Sequence, residues 1–422
     1  MAPTSTRTAG ADRSGGPAGT QEGPPREAAS DAESAPRPDP PRPPQDRPVY
    51  VVGGGPAGLA AAHALRSRGV RTVVLEKSPA VGASWRGHYA RLRLHTTRRL
   101  SSLPGLRIPR SFGRWVPREQ MVRYLEKYAE HLGLEIVTGV AVSRIERCAD
   151  DSGWLLHATG GRELLGSAVV VATGYNHTPR LPDWPGGDGF TGELLHSRDY
   201  RTPQPHRGRD VLVVGVGNSG AEIAADLAEG GAGRVRLAVR TPPHIVRRST
   251  LGWPVQRSAI LCRRLPRPVA NRLARLAAAV SVPDLAAHGL PRPRQGLFTR
   301  ARQGAIPVID TGIVKAVRTG RVEPVAAVES FEGASVVLAD GTRLQPDVVV
   351  AATGYRRALE PLVGHLGVLD AQGRPAVRGG RAPKTAPGLF FTGFTNPVSG
   401  ALRETGREAK RIARSIARAA AH

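Results

Sequence analysis

Large apolar residues arrive in short runs from Val49 onward and are almost missing before it. Val49 to Val52 is one run. A Gly-rich stretch follows, then a helical pattern with Leu59, Ala60, His63, Ala64 and Leu65, ended by Gly69, and Thr72 to Leu75 is a second run. Four-residue apolar runs, bounded by turn residues and alternating with a helix-period segment, predict a βαβ unit. The order returns about 160 residues later, with Val211 to Val214 as strand, Ser219 to Ala228 as helix and Val235 to Val239 as strand. Two copies of one supersecondary unit at that spacing exclude a short-period solenoid. Gly133 to Val140 and Trp154 to Ala158 read as strands between the copies. Val336 to Leu338, Val348 to Ala351 and Leu389 to Thr392 read as strands after them, and Glu404 to Ala420 as a basic terminal helix.

Composition changes this picture at three places. Residues 1–46 are rich in Pro, Gly, Ala, Ser and charge, cannot bury enough surface to offset their ordering entropy, and are expected to form a disordered tail. The formal net charge of +25 invites a nucleic-acid reading. All but five of the 60 basic residues are Arg, however, spread along the chain without a zinc spacing, helix-turn-helix signal or aromatic–basic motif, so no specific nucleic-acid partner is expected. No apolar stretch is long enough to span a bilayer and the N-terminus lacks the order of a secretory signal, so a cytoplasmic protein is expected. Leu265 to Val280 carries Val269, Leu273, Leu276 and Val280 on one helical face with Arg on the other. That face suits a peripheral membrane contact, a substrate entrance or packing on the second unit. Oligomeric state is left open.

The chemistry concentrates at two turns. Gly53-Gly54-Gly55-Pro56-Ala57-Gly58 joins strand to helix in the first unit, and Glu76 stands eighteen residues beyond Gly58 at the end of the next strand. Glycines there permit a tight turn, close approach to a pyrophosphate and close helix packing, and the carboxylate accepts hydrogen bonds from a ribose. Gly215-Val216-Gly217-Asn218-Ser219-Gly220 repeats the turn, but its second strand runs into Arg240 where the first has Glu76. An acid repels a 2′-phosphate and a guanidinium binds it. The contrast assigns FAD to the first turn and NADPH to the second, with Arg247 and Arg248 able to share the role of Arg240. Cys148 and Cys262 form no CxxC pair, which argues against a dithiol reductase.

Phe190 to Tyr200 fits FxGxxxHxxxY, the fingerprint of class B flavin monooxygenases. Ser84-Trp85-Arg86 with Tyr89 and Leu92-Arg93-Leu94-His95, the ATG turns ending at Gly174 and Gly354, Gly304 to Gly312, and Gly388 to Phe394 follow in the family's order. The chain resembles flavin-containing monooxygenases, and within them the YUCCA-type indole-3-pyruvate enzymes. Leu94-His95-Thr96-Thr97 stands where the animal enzymes place an Asn near the flavin ring. The resemblance implies an α/β fold of two nested Rossmann-like dinucleotide-binding domains. The FAD-binding domain would comprise 47–200 and 331–422, with an NADPH-binding domain inserted at 201–330. It also implies insertion of one atom of O2 into a small organic substrate through a C4a-peroxyflavin, with an aromatic 2-oxo acid as the favoured substrate. N- or S-oxygenation, Baeyer–Villiger oxidation and a non-catalytic nucleotide sensor stay open. His196, Tyr200 and His95 are the candidate catalytic residues, with His196 readable equally as a hinge. Expected cofactor contacts are Gly53, Gly55, Pro56, Ala57, Gly58, Glu76, Lys77, Trp85, Arg86, Gly174, Gly354 and Gly393 for FAD, and Gly215, Gly217, Asn218, Ser219, Gly220 and Arg240 for NADPH.

Overall fold

The computed structural model describes residues 47–262 and 265–420. The tail expected over residues 1–46 lies outside the described residues, as does the side chain of Val280.

Two five-stranded parallel sheets organise the chain. In chain order their strands are β1 (Val49–Val52), β2 (Thr72–Glu76), β3 (Ile136–Thr138), β4 (Ala168–Val171), β5 (Glu193–His196), β6 (Asp210–Val214), β7 (Arg234–Ala238), β8 (Glu323–Val325), β9 (Val348–Ala351) and β10 (Leu389–Phe391). The first sheet runs β10-β4-β1-β2-β3 and the second β8-β7-β6-β9-β5. Because both faces of each are covered, the central strands β1, β4 and β9 are apolar throughout rather than alternating, while Arg236 sits buried within β7 and pairs with Asp210. Val49, Val51, Val74 and Val170 feed one core, while Val52, Val73, Leu75, Val169 and Val171 feed the opposite one. In the second sheet Val211 and Val213 face one core, and Leu212 and Val214 the other.

Helices α1 (Pro56–Arg66) and α3 (Asn218–Gly230) are the crossovers of the two repeated units. Helix α2 (Arg118–His131) covers the first sheet, α4 (Arg267–Ser281) lies against the second unit, and α5 (Ala401–Ala420) packs on α1 through Ala409, Ile412, Ala413 and Ile416.

The nesting follows the expected plan, but the sheets do not divide the chain at 200/201 and 330/331. Strands β5 and β9, expected in the flavin-domain segments, belong to the second sheet. The apolar run of β9 is equally at home in either sheet, and β5, Glu-Leu-Leu-His within the FxGxxxHxxxY motif, carries no strand pattern of its own. The chain crosses between the sheets along a short antiparallel ribbon, Thr178–Pro179 outward and Tyr355–Arg356 back, and Arg180 N–H donates to the Gly354 carbonyl at 3.0 Å.

Candidate active site

The first turn is built on backbone approaches that only glycine permits. Gly53 has φ of +114°, and a Cβ on it would stand 2.5 Å from the Ala172 carbonyl oxygen. A Cβ on Gly58 would stand 1.8 Å from the Gly53 oxygen. The second turn repeats both, with Gly215 against Ala352 at 2.7 Å and Gly220 against Gly215 at 1.8 Å. Each helix end is thereby drawn onto its strand. Gly55 and Gly217, the residues that cap α1 and α3, offer no side-chain cap, and a Cβ at either would meet nothing within 4 Å. Unpaired amides at a helix N-terminus facing open space suit a pyrophosphate.

Glu76 is only 6% exposed and is already in use. Its carboxylate accepts from Gly54 N–H at 2.6 Å and from Ser78 N–H at 2.8 Å. One lone pair on each oxygen remains for a ribose hydroxyl. Strand register corrects the pairing of Glu76 with Arg240. Val52 pairs with Leu75 and Val214 with Ala238, so the counterpart of Glu76 is Val239, and Arg240 corresponds to Lys77. The second unit therefore has no carboxylate at the ribose position. Arg240 stands exposed one step beyond, without an ion pair among the described residues. Lys77 donates to His177 Nε2 at 3.1 Å.

The two units are clasped by a buried carboxylate that sequence reasoning missed. Glu222 on α3, 2% exposed, accepts from the Tyr89 hydroxyl at 2.8 Å and shares a 2.5 Å hydrogen bond with His95 Nε2. Burial pushes the Tyr89 pKa up and keeps that hydroxyl a donor. The available signal was an acid placed among the apolar positions of Ala221 to Ala225. Gln256 forms a second clasp, accepting from Thr97 N–H at 3.1 Å and donating to the Ser399 carbonyl at 2.8 Å.

His196 ends β5 and uses both ring nitrogens. Nδ1 accepts from Arg198 N–H at 3.0 Å, so Nε2 carries the proton and donates to the Gly354 carbonyl at 3.1 Å. Burial lowers its pKa, favouring this neutral form. Tyr200, expected to be catalytic, is a packing residue in this geometry. Its ring is 1% exposed against Tyr89 and His206, and its hydroxyl donates to Asp226 at 2.8 Å.

Three expected cofactor contacts also have other work. Asn218 clamps the strand Val308–Asp310, donating to the Pro307 carbonyl and accepting from Ile309 N–H. The Arg86 side chain pairs with Glu126 on α2, and Trp85 packs on the first core. Ser219 is half-buried beside the Tyr89 hydroxyl. Pro56 and Ala57 form the first turn of α1, with Gly393 against Ala57 and Gly174 facing open space.

Beside the Glu222 clasp lies a cavity of about 370 Å³, lined by Arg91, Arg93, Glu222, Arg248, Asp310 and Thr311. Its acids are engaged, Glu222 as above and Asp310 with the amides of Gly312 and Val314. Arg91 is held by Glu229 at 2.6 Å. Arg93 has no ion pair among the described residues, and Arg248 has a buried Nε without a hydrogen-bond partner and stacks on Trp115 at 5.2 Å.

The family described as flavin-binding monooxygenase-like matches residues 46–365. The rice (Oryza sativa subsp. japonica) protein named indole-3-pyruvate monooxygenase YUCCA1 is 34% identical over 372 residues, covering 87% of this chain and 91% of the rice protein. A flavin-containing monooxygenase from Stenotrophomonas maltophilia superposes with a TM-score of 0.65 at 26% identity, covering 88% of this chain and 98% of the bacterial one. The enzyme OTEMO, solved in complex with FAD and NADP, shares the fold with a TM-score of 0.67 at 18% identity, over 89% of this chain and 86% of its own. With both Gly-rich turns intact and the match running through both sheets, the chain belongs to the flavin-binding monooxygenase-like family and is an NADPH-dependent flavin monooxygenase.

Proposed function

We propose that the enzyme binds FAD at the Gly53–Gly58 turn and NADPH at the Gly215–Gly220 turn, and that it oxygenates a small aromatic 2-oxo acid with loss of CO2. Bound FAD, reduced by NADPH, supplies the activation of O2. The chain's own residues bind, orient and exclude water. Gly55 and the α1 amides hold the FAD pyrophosphate, Glu76 the ribose, and Gly174 and Gly393 border the same hollow. Gly217 and the α3 amides hold the NADPH pyrophosphate, and Arg240 the 2′-phosphate. His95, tied to Glu222, stands at the junction of the two units.

The cavity at this junction carries the substrate assignment. Arg93 and Arg248 line it as cations without ion pairs among the described residues, and Arg248 is backed by the Trp115 ring. A 2-oxo acid offers the matching anion and a flat apolar body. The rice relative acts, by its name, on a substrate of this kind. A cytoplasmic location belongs to the same proposal; no described helix is long and apolar enough to cross a membrane.

Phenylpyruvate and indole-3-pyruvate are expected to raise the product formed per NADPH and yield the acid one carbon shorter. O2 uptake, NADPH loss and peroxide, measured together with product analysis, check this. Arg248→Ala removes a charge-assisted contact of about 1.5–3 kcal/mol, so KM for the oxo acid should rise roughly tenfold to a hundredfold. NADPH oxidation without substrate should stay near wild type. Coupling by amines or thioethers, with oxo acids inert, would sink the substrate proposal.

His196 is a positioning residue in this scheme, since it holds the Gly354 turn beside the crossing between units. His196→Ala should keep FAD and release more peroxide per NADPH. With a folded pKa below the ordinary 6.5, its contribution is complete above pH 6.5 and is lost as pH falls through the folded value. Peroxide release by the wild type should therefore rise in acid, while that of the variant stays flat. Unchanged coupling in His196→Ala would leave the residue a purely structural part.

A further inference from the structure

Exposed apolar side chains are unevenly placed on this protein. Among the described residues, ten large ones stand exposed, and seven of them fall between Leu251 and Leu276. Leu251 sits at the tip of the hairpin Ser249–Thr250/Trp253–Pro254 with φ of +46° and its side chain wholly in solvent. A leucine is a poor choice for a left-handed turn in water, where Gly or Asn is favoured. Trp253 follows with its ring exposed, its Nε1 donating to Ser258 at 3.0 Å and the Arg257 guanidinium stacked over it.

Helix α4 is turned the wrong way for a water-facing helix. Ala270 is buried, and Ala274 and Ala278 line the cavity beneath. Val269, Leu273 and Leu276, spaced i, i+4 and i+7, form an exposed stripe at 45%, 46% and 60% exposure, with Leu276 also reaching the edge of that cavity. Leu265, also exposed, extends the same line. Arg267, Arg272 and Arg275 are exposed around it.

Along the chain the charge of this segment is of one sign. Six Arg and no Asp or Glu occur from Leu251 to Ser281, and the nearest acids in sequence are Glu229 and Asp284. A second copy of the chain is a poor occupant. A two-fold interface would set this Arg-rich segment against itself. An apolar stripe with a Trp, a projecting Leu and a rim of Arg instead matches an interface of acyl chains under anionic headgroups.

We propose that the hairpin at Leu251 and the outer face of α4 dock this enzyme on the surface of an anionic phospholipid bilayer. The apolar stripe enters the headgroup boundary and the Arg side chains pair with lipid phosphates. The cavity of about 450 Å³ under α4, lined by Ile245, Val246, Leu276, Ala279 and Leu285 among others, then opens beside the lipid.

The test uses the full chain with its flavin and sedimented vesicles. Phosphatidylcholine mixed with phosphatidylglycerol should bind it, and phosphatidylcholine alone should bind at least about tenfold more weakly. Leu273→Glu with Leu276→Glu should weaken anionic-vesicle binding by about tenfold or more, leaving flavin content and NADPH oxidation unchanged. If that pair disturbs folding, as a loss of flavin would show, Leu251→Ser with Leu273→Ser reports on the same face. Three results overturn the proposal. They are no vesicle binding by the wild type, equal binding by a folded variant, or a dimer by light scattering that the variant converts to monomer.

Discussion

Gly55→Val is expected to give a folded protein that is colourless. The residue caps α1 with φ of −83° and ψ of −178°, extended backbone that valine adopts without strain. A Cβ there touches nothing within 4 Å, so the fold has no reason to object. The added side chain stands in the hollow before the α1 amides, where the FAD pyrophosphate is proposed to lie. Losing two charge-assisted contacts is an effect of at least about 3 kcal/mol, roughly a hundredfold or more in Kd. Gly58→Val is the control of opposite kind. Its Cβ would stand 1.8 Å from the Gly53 oxygen, so the turn must open and the protein should lose its melting transition with its flavin. The ratio of flavin to protein absorbance, with thermal melting for both variants, separates ligand exclusion from collapse. A native melt with full flavin in Gly55→Val would place the cofactor elsewhere.

Arg240→Ala should weaken NADPH use while leaving NADH nearly untouched. The register gives two features on which the proposed site would discriminate. Val239 stands where the first unit has Glu76, so no carboxylate repels the 2′-phosphate, and Arg240 next to it supplies the cation. A charge-assisted contact contributes about 1.5–3 kcal/mol, so KM for NADPH should rise roughly tenfold to a hundredfold. Steady-state kinetics with both nucleotides provide the check. Equal losses for NADPH and NADH would point to a disturbed strand instead. Val239→Glu makes the complementary change, and should shift preference toward NADH by adding the repelling charge.

What the sequence revealed and what it concealed follow from how far each feature reaches along the chain. The two turns are local: a strand, a glycine pattern and a helix lie within about twenty residues, and the first and last glycine of each pattern have a backbone reason, while Gly55 and Gly217 leave space open before the helix. Most strands of the two sheets were legible as apolar runs because burial on two faces leaves few polar positions in them; β4, β5 and β8 were not singled out, β5 carrying Glu193 and His196 and β8 Glu323 and Pro324. Their allocation was not legible. Strand β5 joins the second sheet beside β9, more than 150 residues later, and no local pattern encodes that partner. Side-chain duties were hidden for the same reason. Glu222 acts on Tyr89 and His95, 133 and 127 positions away, and Asn218 acts on the backbone near Ile309, 91 positions away. The one-residue error in matching Arg240 to Glu76 came from aligning strand ends rather than strand pairs.

The ribbon at Thr178–Pro179 and Tyr355–Arg356 makes the second unit a parenthesis in the chain. Everything from 180 to 354 leaves and returns at one point, where Arg180 N–H meets the Gly354 carbonyl. All five strands of the second sheet fall inside that interval, and all five of the first sheet fall outside it. A gene fragment with such an open and close can be moved whole. Dropped into a surface turn of a host protein, it asks for no more room than the turn already had. The arrangement also suggests a manufacturing order at the ribosome. The host strands β1 to β4 emerge first and must wait, one partner short, while the guest completes itself before β10 arrives to close the older sheet.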